Sequence, residues 1–271
     1  MKNLILVLLI FLTACEEPIA EESLVDNGSG KKNDSIAFED ITHDKEVILE
    51  RRFSWSVNKL PIKVTTSHEF GAKERQSIKE MASKWEDAAN LELFQIGRVK
   101  KNIYFSSLKD YYSQDKDLGI YIVDKKVDGI SNTTLAVTQI IAQEVMINSS
   151  SIHYEIQHAD IVLNNFDYSF SIDNTQGTFD LESVMLHELG HFLGLVDHSE
   201  SKESVMFPNI AQDSVHRELY WEDINQMNSL YSDHRRNYNS KNESLNQGKM
   251  VIITIELDVD GSHREKVIHL E

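Results

Sequence analysis

The sequence predicts an α+β domain, and three observations carry that expectation. Residues 60–65 (LPIKVT) and 159–164 (ADIVLN) alternate apolar and polar side chains, the period of a half-buried strand. Residues 71–89 instead set Ile78, Met81, Ala82, Trp85, Ala88 and Ala89 at three- and four-residue steps, with Lys73, Glu74, Lys79, Glu80 and Lys84 on the other face. That is the pattern of a long amphipathic helix. Residues 181–193 predict a second helix, with Asp180 as its N-cap and Leu186, Leu189 and Leu193 toward the core.

A length of 271 residues leaves room for one substantial domain and its tails. A net charge of -17 argues against nucleic acid as a partner, because phosphates would be repelled. Cys15 is the only cysteine, so no disulfide forms within the chain and the fold rests on its core and on bound metal. The chain is expected to act as a monomer.

In chain order, residues 1–14 read as a secretion signal: one early lysine, then a continuous apolar run too short for a dependable membrane span. The signal ends in Leu12-Thr13-Ala14-Cys15, which matches the bacterial lipobox. Cys15 is therefore expected to carry a lipid, anchoring the protein through a membrane in the bacterial cell envelope, outside the cytoplasm. An ordinary signal peptide that a cysteine happens to follow is the simpler alternative. Residues 15–45 are acidic and polar without apolar periodicity, and read as the lipidated N-terminus and a flexible tether, or as a short propeptide.

The folded domain is expected over 46–235, beginning near Ile48. After the first strand and helix, Asn90 suits a left-handed stop. Short strands are expected at 102–105 and 119–123, with 108–118 between them as a solvated loop whose Asp110, Asp115 and Asp117 could ligate calcium. Residues 135–147 are apolar and β-branched enough for another strand, and His153 and His158 read as surface residues. Gly190 inside the second helix costs about 1 kcal/mol relative to alanine, which a close approach by another backbone would explain. Residues 209–218 are expected to form a loop that shapes a pocket, and 221–231 a closing helix with Ile224, Met227 and Leu230 buried. Residues 236–271 are a polar linker and then a β-hairpin, with VIITIEL and EKVIHL flanking Asp260-Gly261 and with His263 and His269 on its surface.

The chemistry concentrates in His187, Glu188 and His191, spaced H-E-x-x-H. Imidazoles four residues apart share one helix face and can reach one ion, with Glu188 beside them as a base. A helix that happens to carry two histidines and a glutamate is the bland alternative. The residues that follow argue against it. Gly194 allows a sharp bend, Asp197 and His198 offer a third ligand, and Met206 stands in Ser204-Val205-Met206-Phe207-Pro208.

This set resembles the metzincin zinc endopeptidases, and within them the matrixins, whose pattern is H-E-x-x-H-x-x-G-x-x-H followed by a Met-turn. His187, Glu188, His191, Gly194, Met206 and Pro208 fall on it; Phe207 stands for the usual tyrosine, and the eleventh position is Asp197. The resemblance implies a twisted mixed sheet with a long first helix, a zinc-binding helix, a Met-turn and a C-terminal helix. It implies catalytic zinc and hydrolysis of peptide bonds in a protein or peptide substrate, with Glu188 as general base and Met206 as a floor under the metal. It also places the substrate-pairing edge strand at 159–164, with Ile161, Val162 and Leu163 beside the substrate backbone.

The third ligand stays open between two counts. Counting forward from Gly194 gives Asp197, as in snapalysin-like metzincins, and counting back from Met206 gives His198. Asp197 is favoured, because the bend after Gly194 is the tighter constraint, with His198 as the alternative. A zinc-folded surface binding protein, inactive or with one partner, is the other function class. Glu188 argues against it, since a pure binding module has no need of that carboxylate.

Overall fold

One mixed sheet organises the computed structural model, which describes residues 52–101, 105–114, 116–148, 151–232 and 247–270. The signal segment, Cys15, the tether and the start of the domain through residue 51 lie outside the described residues, as does 233–246. The strands are β1 (Arg52–Trp55), β2 (Ile62–Ser67), β3 (Phe94–Lys100), β4 (Leu118–Val123), β5 (Thr134–Asn148), β6 (Ser151–Asn164), β7 (Phe170–Ser171), β8 (Phe179–Asp180), β9 (Gln247–Asp258) and β10 (His263–Leu270). The helices are α1 (Ala72–Ala89), α2 (Leu108–Gln114), α3 (Leu181–Leu193) and α4 (Trp221–Ser232). None of the described helices is long and apolar enough to cross a membrane.

The main sheet runs β10-β9-β5-β6-β4-β2-β3, with β1 also paired to β6 and with β7 and β8 forming a separate short pair. Its pairs from β6 through β4 and β2 to β3 are parallel, while β5, β9 and β10 join antiparallel. The two faces bury different residues. One face contributes Ala136, Ile140, Ala159, Ile161 and Leu163 to the core that holds α1 and α3; the other packs Val137 and Val162 with Tyr111, Tyr121 and Phe105. Such two-sided burial is what parallel strands require.

The long helix follows its periodicity: Ile78, Met81, Ala82, Trp85, Ala88 and Ala89 are all buried, and Asn90 ends it at φ 49°. The sheet departs from expectation in two places. Residues 159–164 are no edge: Ile161, Val162 and Leu163 pair with β5 on one side and with β4 on the other, so the expectation that they bind substrate is corrected. Alternation alone does not distinguish an edge strand from an inner one, because pairing partners come from distant sequence. The edge next to β2 is β3, a strand unforeseen in the sequence because its apolar residues are not matched by burial: Phe94 is buried, but Val99 is exposed beside Gly97 and Arg98. Most of the expected strand at 102–105 lies outside the described residues.

The expected loop at 108–118 begins with helix α2, whose Leu108 and Tyr111 are buried. Asp117 pairs with Arg98 at 3.4 Å and with Lys100 at 3.0 Å, and Asp115 lies outside the described residues. His158 is no surface histidine but is nearly enclosed, 2.8 Å from buried Asp160. In α4, Met227 is buried and Leu230 is partly buried against the core, while Ile224 is exposed; Asp223 and Tyr231 are buried as well. The C-terminal hairpin joins the sheet, with β9 against β5 and Gly261 at φ 78° in its turn.

Candidate metal centre

Helix α3 begins at Asp180, whose Oδ2 accepts hydrogen bonds from the Ser183 amide at 2.9 Å and the Ser183 hydroxyl at 2.6 Å. Arg217 donates to both oxygens of the same carboxylate. Burial raises the affinity of Asp180 for a proton, but the guanidinium and the Ser183 donors outweigh it, and its pKa lies below the usual carboxylate range.

The helix is then pinned from three directions. Trp85 of α1 donates its indole N–H to the Leu186 carbonyl, Trp55 of β1 to that of Phe192, and Tyr231 of α4 its hydroxyl to that of Leu193, each at 2.8 Å. The last two carbonyls belong to the final turn, where a helix leaves acceptors without internal partners. Gly194 stops the helix at φ 110°, and a Cβ there would stand 2.1 Å from the Phe53 carbonyl oxygen, so only glycine fits. The amide of Leu195 returns to the Gly190 carbonyl at 3.0 Å and closes the turn.

That turn orients the first two ligands. His191 donates from Nδ1 to the Leu195 carbonyl at 2.6 Å, and His187 from Nδ1 to the Val205 carbonyl at 2.7 Å. Carbonyls only accept, so each ring keeps its proton on Nδ1 and presents a lone pair at Nε2. The two Nε2 atoms stand 3.0 Å apart. Lone pairs facing each other at that separation repel unless a cation lies between them, and this donor set fits a metal. Burial pushes the His187 imidazole down to about 4, with its bond to Val205 opposing and the charge of His216 reinforcing, so the ring is neutral near pH 7, as a ligand must be.

The third member is His198. The ligand atoms of His187, His191 and His198 all lie within 4.8 Å of one another. Asp197, favoured from the sequence, is exposed and lines a separate surface concavity with Phe53, Gly194 and Gln226. The correction has a local cause. Leu195 and Val196 turn inward and are buried, so the extra residue is absorbed immediately after Gly194 and the next inward position is His198. Among the described residues this is the one histidine and carboxylate group placed to hold a metal.

Glu188 is fully buried beside the histidines. Its Oε2 accepts a 2.5 Å hydrogen bond from the Thr138 hydroxyl of β5, while Oε1 has no hydrogen-bond partner. Burial pushes its pKa up to about 8, against the Thr138 hydroxyl. Below the site Met206 is fully buried, and its Sδ would stand 2.5 Å from a Cβ on Gly190. The absent side chain at Gly190 thus makes room for Met206 and Trp85, not for another backbone. Asp223 of α4 fixes this turn by accepting from the Ser204 hydroxyl and from the amides of Val205 at 3.0 Å and Tyr220 at 2.8 Å. The expected loop at 209–218 follows, and His216 in it bonds the Glu203 carbonyl at 2.9 Å.

His187, Glu188, His191 and Met206 therefore converge as the spacing requires. Thr138 and Asp223 went unforeseen. Asp223 has a partial signal, an acidic residue in the first turn of a helix. Thr138 has none, since its partner lies fifty positions away in the sequence.

The family model described as Matrixin matches residues 54–232. The chain is 28% identical over 131 residues to Metalloendoproteinase 2-MMP of Arabidopsis thaliana, covering 47% of this chain and 32% of that protein. It is 39% identical over 72 residues to Metalloendoproteinase 5-MMP of the same plant, covering 27% of this chain and 20% of that one. With Metalloendoproteinase 1 of Glycine max it shares 43% identity over 53 residues, 20% of this chain and 17% of that protein. The chain thus spans about a third of the length of the first of these relatives and less of the others.

Proposed function

The chain belongs to the matrixin family, and on that premise we propose that it is a zinc-dependent endopeptidase acting on proteins or peptides outside the cytoplasm. The observation that carries this reading is the meeting of His187, His191 and His198 beside a buried carboxylate that keeps one oxygen without a partner. Zinc held by the three histidines would polarise the scissile carbonyl, acidify the attacking water and, as a nearby positive charge, keep Glu188 ionised. Oε1 of Glu188 takes a proton from the water as its oxygen bonds to the carbonyl carbon. It then gives that proton to the amide nitrogen as the C–N bond breaks. Thr138 holds the other oxygen, so the free one faces the reaction.

Glu188→Ala tests the role. Zinc content is expected to stay near one per chain, because the ligands are untouched, while cleavage of an unfolded protein is lost. A variant that keeps near-wild-type cleavage would overturn it. One observation favours the second reading, a metal-folded binding protein: His187 and Glu188 have no solvent exposure at all, as in a structural site. A structural site, however, has no use for a buried carboxylate that costs energy to ionise.

The sequence reading of a lipid anchor at Cys15 belongs to the same proposal and sets the enzyme on a membrane of the cell envelope. Metabolic labelling with a fatty-acid analogue is expected to mark the wild type and to miss Cys15→Ala. Equal labelling of both would refute the anchor.

A further inference from the structure

A peptide can be cut here only if its carbonyl reaches Glu188, and the strand beside Glu188 is β5, through Thr138. An extended peptide adds to a strand through main-chain hydrogen bonds along a free edge, at the spacing of a neighbouring strand, about 4.8 Å. One edge of β5 is filled by β6. The other is taken by another segment of the same chain, since β9 pairs antiparallel with β5 from Thr134 to Val145.

The register is specific to the site. Ile255 stands directly opposite Thr138, so their side chains share one sheet face, the face toward α3. Leu257 stands opposite Ala136 and Ile253 opposite Ile140, and Val251, Ile253, Ile255 and Leu257 are all buried in the core that contains α3. The turn of the hairpin also approaches the loop that follows the Met-turn. A Cβ on Gly261 in its turn would stand 2.9 Å from Asn209 Nδ2, and Asn209 lies just beyond the Met-turn. The hairpin thus runs from β5 to the loop after Met206; His187, Glu188 and His191 are buried, and His198 is partly exposed.

We infer that β9 is a built-in occupant of the substrate edge, and that a substrate segment enters by displacing it from β5. This inference rests on the proposed protease activity and supplies its regulation: the enzyme is latent while β9 is paired. It also names the substrate class. The displaced segment reads VIITIEL with aliphatic residues at alternate positions facing the site, so the fitting substrate is an extended, unfolded segment with β-branched or leucine side chains in that alternation. Arg264 of β10 ties the hairpin to the start of β5 by donating to the Thr133 hydroxyl at 3.2 Å and the Thr134 hydroxyl at 3.4 Å, and it is held in place within the hairpin by Asp258 at 3.0 Å and Glu256 at 3.3 Å.

A reversible lock tests the displacement. Gln139 and Thr254 are paired across β5 and β9, joined by a 3.2 Å side-chain bond on the face away from α3. The full chain carrying Cys15→Ser, Gln139→Cys and Thr254→Cys is oxidised, then reduced with a phosphine, with zinc content and cleavage of an unfolded protein read in both states. Oxidation is expected to lower cleavage by roughly tenfold or more, because apparent affinity falls with the fraction of molecules competent to bind, and reduction to restore it. Arg264→Ala is expected to raise cleavage several-fold at unchanged zinc content. Equal cleavage by the oxidised and reduced forms would overturn the inference while leaving the protease reading intact. Zinc-loaded wild type, Arg264→Ala and reduced forms that all cleave nothing would instead sink the protease reading. Amide hydrogen exchange in Glu188→Ala judges the displacement without hydrolysis: added unfolded protein is expected to strip protection from β9 but not from β6. Unchanged protection in β9 refutes the inference whatever the cleavage results.

Discussion

Helix α3 and strand β9 are buried alike at their centres, Leu186 and Leu189 at 0% exposure against Ile253 at 0% and Ile255 at 1%, yet they are held by different means. Side chains from β1, α1, α4 and the loop at Arg217 all grip α3, through Trp55, Trp85, Tyr231 and Arg217 itself. The hairpin is tied through β5 and the turn before it: a backbone ladder, an apolar face, and bonds such as Thr134 to Glu256 and Gln139 to Thr254. Removing α3 would dismantle the packing of four elements, whereas releasing β9 exposes one edge of β5 and a single apolar face, that of Val251, Ile253, Ile255 and Leu257. Equal burial therefore does not mean equal permanence, because local openings follow the number of independent ties.

The comparison breaks first if the metal ligands are not part of the immobile half. His198→Ala is expected to lower zinc affinity by more than the roughly 10–100-fold that a supporting residue costs. Asp197→Ala is expected to change it little, because Asp197 is exposed and faces another part of the surface. Zinc competition with a chromogenic chelator measures both. The reverse result would mean that the turn after Gly194 can be re-laid to bring Asp197 inward, and that half of the site would then be as adaptable as the hairpin.

The same division decides what could be read from the sequence. In α3 every determinant is local: the N-cap at Asp180, the His187 and His191 spacing, and the stop at Gly194. The helix therefore runs over the same thirteen residues that its pattern predicts. The third ligand was ambiguous because it depends on whether Leu195 and Val196 are drawn into the core, a tertiary event that motif counting does not contain. Sheet order was less legible still. The alternation at 159–164 is real, with Ile161 and Leu163 on one core face and Val162 on the other, but it describes faces and not edges. Which strand lies beside Glu188 depends on Thr138, and which segment covers that strand depends on a hairpin more than a hundred residues further on. The hairpin itself was legible from its turn and its two alternating segments. Its place in the sheet was not.

The smallest expected effect concerns the start of α3 and sharpens the claim that this half is fixed by named bonds. Asp180→Asn keeps an N-cap but removes the charge that Arg217 and the Ser183 donors hold. The loss is expected to be about 1–2 kcal/mol of unfolding free energy near pH 7, the range for a cap whose charge partner is partly exposed. The sign with pH follows from the depressed pKa of Asp180. Its folded value lies below the unfolded one, so the carboxylate's contribution is complete above the unfolded value, about 3.9, and disappears as pH falls through the folded value. Urea unfolding of both proteins, compared at each pH so that acid release of metal is common to both, should show the gap narrowing below about pH 4. A gap that is constant with pH, or absent at pH 7, would mean that Asp180 acts as a neutral cap only, and that α3 is held by its two tryptophans and Tyr231 without help from Arg217.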